Sequence, residues 1–182
     1  MATTFIGFSA QQQHTLQADL SLAKQLAMSA ANSMLLTMSG RPSDQTAQLL
    51  WWVFTVKPDN DFWDHVEPIK SVYLAFRPRL DTVSLNYDSS PPAPNTIEFD
   101  AYVRPGHASQ IFCRSDYFTK TPRDRALTLI HESVHLRFSD NSGDGHPGGQ
   151  IIMFQPGNIQ IDYKDAIRNP YCYQYYADWV SP

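Results

Sequence analysis

The sequence predicts a single α+β domain with a helical N-terminal part, a small antiparallel sheet and a buried helix that carries the polar residues of a site. Three observations predict it. Leu16, Leu20, Ala23, Ala27, Ala31 and Met34 recur at spacings of three and four, the period of a helix face. After Pro78 the pattern becomes alternation, the period of a strand. Ala126 to Leu136 is apolar at most positions yet holds two His and one Glu. The chain of 182 residues is long enough for one sizeable core, so residues 1–182 are read as one domain.

The first helix begins at Ser9 and ends at the breaker Gly40-Arg41-Pro42. Its alanines suit close packing against another helix. Ser43 or Asp44 can cap a second helix through Trp51, Trp52 and Phe54, stopped before Pro58. A third is expected from about Asp61 to Phe76, with Phe62, Val66, Ile69 and Tyr73 on one face. Val83, Leu85 and Tyr87 alternate as a strand, and Ser89-Ser90-Pro91-Pro92-Ala93-Pro94 forms a stiff loop. Ile97, Phe99, Ala101 and Val103 alternate again; Pro105-Gly106 turns the chain, and Gln110 to Cys113 returns as a strand. Thr121-Pro122 then opens a helix, a capping hydroxyl followed by Pro at the first helical position.

Charge and composition narrow the function classes. The net charge of −4 and the scattered Lys and Arg give no footprint for nucleic acid. No apolar run reaches the ~20 residues needed to span a bilayer, and Met1 to Phe8 does not have the form of a signal peptide. Cys113 and Cys172 stand in no metal-ligand spacing and are expected as buried free thiols, with a bridge between them the alternative.

The chemistry lies in His131-Glu132-Ser133-Val134-His135. Residues four apart share a helix face, so both imidazoles can grip one Zn²⁺. Glu132 is offset around the helix and suits a zinc-activated water better than the metal itself. Chance placement of His and Glu on a solvated helix would leave polar flanks, whereas Leu127, Leu129, Ile130, Val134 and Leu136 are apolar. A catalytic zinc takes a third protein ligand. Asp140, Asp144 and His146 follow closely: Asp140 lies tight against the helix end, Asp144 follows the turn Asn141-Ser142-Gly143, and His146 is followed by Pro147-Gly148.

Helix, hairpin, His-Glu-x-x-His and a following Asp resemble the aspzincin metalloendopeptidases, the deuterolysin and peptidyl-Lys endopeptidase group. The likeness runs over most of the chain. It includes the Ala-rich first helix, Ala101-Tyr102-Val103 leading to Ile111-Phe112-Cys113, Thr128 through Leu136, and Asp165 through Tyr176. The resemblance implies a zincin-like fold and a zinc endopeptidase acting on proteins or peptides. It assigns the third ligand to Asp144, by its spacing from His135. Two departures stand out. The place of the family's oxyanion-binding Tyr is Pro147 here, and Gly148 to Ile161 reads as loop or hairpin in place of a helix. That piece could carry Asp162 and Tyr163 into the site, with Asp162 as the alternative ligand and Tyr163 as oxyanion donor. The places of the acidic residues that bind a substrate Lys are Tyr171 and Gln174. Neither is negative, so strict Lys selection is not expected.

Two other readings differ in class. One is a zinc-binding module that recognises a protein partner with weak or no catalysis; the other is a metal-dependent hydrolase of non-peptide substrates. With no signal segment recognised, signal-independent export as a bacterial toxin or effector is left open. The oligomeric state is not encoded in any feature of the sequence.

Overall fold

The computed structural model describes residues 2–38, 44–57, 59, 61–90, 100–104, 106–107, 109–138 and 161–181. Among the described residues, four strands and six helices follow in the order β1 (Thr4–Ile6), α1 (Ala10–Met38), α2 (Asp44–Phe54), α3 (Phe62–Leu80), β2 (Ser84–Tyr87), β3 (Ala101–Tyr102), β4 (Gln110–Cys113), α4 (Pro122–Phe138), α5 (Tyr163–Ala166) and α6 (Pro170–Val180). A 3-10 turn, Ser115–Thr119, links β4 to α4. The fold is α+β, as expected.

Helix α1 is the central pillar. A reciprocal cap starts it: Gln12 N–H donates to Ser9 Oγ at 3.3 Å, and Ser9 N–H to Gln12 Oε1 at 2.9 Å. All six residues of the expected stripe are buried. The alanines bring its backbone close to α3 and α4, the helices it packs against most. Helix α3 runs to Leu80, past the expected end near Phe76 and through both Pro68 and Pro78. Leu80 is fully buried one turn beyond Phe76, so burial of the continuing stripe outweighs the helix bonds the prolines remove.

The sheet has the order β1-β2-β4-β3, and its directions correct the expected antiparallel arrangement. β3 pairs antiparallel with β4, Ala101 with Cys113 and Tyr102 with Phe112, as the turn around Gly106 requires (φ +79). β2 runs parallel to β4, and β1 parallel to β2. Parallel strands need a long crossover. Helices α1 to α3 supply one between β1 and β2, and the chain through β3 supplies the other. β1 itself was not expected, being only three residues long. Gly7 (φ +81) turns it into α1 where an added Cβ would lie 3.3 Å from Tyr87 Cβ.

Aromatic side chains fill the space between α2, α3 and α6. Phe54, Tyr73, Phe76, Tyr173 and Tyr176 meet mostly edge to face, the favoured geometry for such pairs. Tyr73 is fully buried and its hydroxyl donates to Tyr173 O at 2.6 Å. Cys113 and Cys172 are buried free thiols, and burial pushes both far above the usual thiol range. No helix among the described residues is long and apolar enough to cross a membrane.

Candidate active site

Helix α4 is fixed before its polar residues begin. Thr121 Oγ1 accepts from Asp124 N–H at 3.2 Å and donates to the Asp124 carboxylate at 2.6 Å. Arg125 Nε donates at 2.8 Å to Asp19 of α1, a carboxylate only 1 % exposed. The Tyr117 hydroxyl donates to the same oxygen at 3.2 Å. Arg123 reaches the end of α6, donating to the Asp178 carboxylate at 2.6 Å and to Asp178 O and Ser181 O at 2.7 and 2.8 Å. The start of α4 thus lies beside the end of α6. Its middle meets the start of α6, so the two helices run antiparallel.

His131, Glu132 and Ser133 are all buried at the centre of α4, and His135 is half-buried one turn on. The two imidazoles face the same way, with ring centroids 5.2 Å apart. The Tyr171 and His131 rings meet edge to face, centroids 4.5 Å apart. His131 Nδ1 lies 3.2 Å from Gln174 Oε1. Ser133 Oγ donates back to Leu129 O at 2.7 Å, which satisfies the one hydroxyl on the buried stretch.

Glu132 is 5 % exposed. Burial pushes its carboxyl well above the ordinary range; Lys120 and the Val103 backbone N–H pull it back, and Asp100 adds to the rise. Lys120 and Asp100 form an ion pair with each other. Glu132 Oε2 is buried with no hydrogen-bond partner. Such an orphan costs about 1–3 kcal/mol or more when charged, so the fold retains an acceptor that its own structure does not use.

The other expected residues fall elsewhere. Asp162 caps α5, its carboxylate accepting from Asp165 N–H at 2.9 Å. The Tyr163 hydroxyl donates to His65 O at 2.8 Å, and its ring packs against the His65 ring with centroids 4.4 Å apart. Both residues line a cleft of about 380 Å³ with Thr55, Lys57, Asp59 and His65. Asp140, Asp144, His146 and Pro147 lie outside the described residues, as does all but Ile161 of the loop or hairpin expected from Gly148 to Ile161. Among the described residues no three His, Cys, Asp or Glu side chains cluster as a metal-ligand set. The paired imidazoles of His131 and His135 and the unpartnered Glu132 oxygen fit two ligands and a base of a metal site.

No family model and no curated protein matches the chain. Among solved structures, the chain is similar to a zinc peptidase from Grifola frondosa, with a TM-score of 0.63 and 19% identity over 94% of this chain and 96% of that one. At that identity the likeness shows a shared fold, extending over nearly the whole of both chains.

Proposed function

We propose that the protein is a zinc-dependent endopeptidase of aspzincin type, hydrolysing internal bonds of proteins or peptides. The observation that carries this is the buried, unpartnered Oε2 of Glu132 beside two imidazoles on one helix face. The fold shared with a protein described as a zinc peptidase supports it. His131 and His135 would hold the metal, with Asp144 as third ligand and Asp162 the alternative. Asp162 is the weaker choice because its carboxylate already caps α5.

Bound zinc would supply Lewis acidity toward water and the substrate carbonyl. Glu132 removes a proton from the attacking water and delivers it to the leaving amine. Tyr163 as oxyanion donor would first have to release His65 O. Tyr171 borders His131 and is the residue best placed to meet a substrate side chain. It carries no negative charge, so cleavage without strict Lys selection is expected. A peptide library with a dominant Lys signal would sink that part of the reading.

Metal analysis and a protein-cleavage assay on the purified chain test the proposal. About one zinc per chain, with cleavage stopped by chelation and restored by zinc, is the expected result. Zinc bound without cleavage of any substrate favours a partner-binding module, a reading encouraged by Pro147 in place of the family's Tyr.

A further inference from the structure

We propose that Gln174 is the positioning residue of His131: its side-chain carbonyl accepts the Nδ1–H and so fixes Nε2 as the nitrogen that ligates. This rests on the zinc reading above and gives Gln174 a role other than the substrate contact its sequence position implies. The two atoms lie 3.2 Å apart, and ligation through Nε2 decides which of them donates. A neutral imidazole that ligates through Nε2 carries its proton on Nδ1. A donor at Nδ1 needs an acceptor, and only the oxygen of a Gln amide accepts.

The acceptor is held on a rigid support. Asn169 caps α6, accepting from Tyr171 N–H at 3.0 Å, and Pro170 occupies its first turn. Cys172 and Tyr173, just before Gln174, are fully buried. The Tyr173 hydroxyl donates to Ile167 O at 2.8 Å, its carbonyl accepts from Tyr73, and Arg123 anchors the far end of the helix. The Tyr171 ring closes the flank of the imidazole. Gln174 is thereby supported by the protein core, as an outer group that orients a metal ligand should be.

Zinc affinity, measured by competition with a chromogenic chelator, tests the role in wild type, Gln174→Leu and Gln174→Glu, with thermal unfolding of the zinc-free forms alongside. Gln174→Leu is expected to bind zinc about 10–100-fold more weakly while its zinc-free unfolding temperature stays near that of wild type. Gln174→Glu, which keeps an acceptor, should restore affinity. A Leu variant that binds zinc as tightly as a zinc-binding wild type overturns the role. A wild type that binds no zinc overturns the metal reading itself, so the two failures are distinct. Should Gln174→Leu not fold, nitrogen-15 NMR of the His131 ring in zinc-loaded wild type decides: a proton on Nδ1 is expected, and a proton on Nε2 overturns the role.

Discussion

Helix α4 and the Asp162–Tyr163 segment both carry residues that the sequence nominates for one site, and their surroundings differ in kind. On α4, the polar groups at the helix start are satisfied by named partners, from the Thr121 cap to the Arg125–Asp19 pair. Glu132 Oε2 stands apart as a buried acceptor left over. On the other segment the polar groups serve the local backbone: Asp162 caps a short helix and Tyr163 closes onto His65. A polar residue that local structure does not need is evidence for chemistry, whereas one that the backbone uses carries little. The contrast separates His131, Glu132 and His135 from Asp162 and Tyr163.

The largest expected effect concerns the frame. Arg125→Ala leaves the Asp19 carboxylate buried without its cation and should cost about 3–5 kcal/mol of stability, read by chemical denaturation. A loss below about 1 kcal/mol would mean that α4 is not pinned through this pair.

The two acidic candidates should behave differently. Asp144→Ala is expected to weaken zinc binding at least about a hundredfold, on the order of 3 kcal/mol, with folding retained. Asp162→Ala should leave zinc affinity near wild type and cost ~1 kcal/mol of stability through the lost cap. The reverse pattern in a zinc titration would transfer the ligand role to Asp162 and erase the contrast drawn above.

Tyr163→Phe removes only the hydroxyl bonded to His65 O. A stability loss of about 1 kcal/mol is expected, with kcat within a few-fold of wild type. A fall in kcat of about 10²–10³ would instead identify an oxyanion donor.

The smallest effect is in the acid range. The Tyr102 hydroxyl, opposed by partial burial and aided by Ser90 and Arg114, holds the Asp88 carboxyl far below the usual range. A depressed folded-state value contributes stability above the unfolded value, about 4, and that stability is lost as pH falls further. Asp88→Asn should therefore flatten the fall in stability below about pH 4. An unchanged acid limb would show that this cluster contributes nothing to acid sensitivity.

What could be read from the sequence follows the same division. The α1 stripe and the cap of α4 were legible because each depends on neighbours within a few residues. His131, Glu132 and His135 were legible because they interrupt an apolar helix. The parallel pairing of β1, β2 and β4 depends on strands far apart in the chain and leaves no local period. The extension of α3 through Pro78 was hidden because tertiary burial of Leu80 overrides a local breaker. Gln174 was noticed only as the replacement of an acidic residue. Its approach to His131 brings together residues 43 apart on two different helices, which spacing cannot reveal.

The most direct test of the central claim is Glu132→Gln, assayed for both bound zinc and peptide hydrolysis. The amide keeps the size of the side chain and removes its ability to take a proton. Zinc content equal to wild type, with hydrolysis lowered by about 10²–10⁴-fold, is the predicted result. Hydrolysis at the wild-type rate in the zinc-loaded variant would contradict Glu132 as the base and, with it, the reading of its unpartnered oxygen.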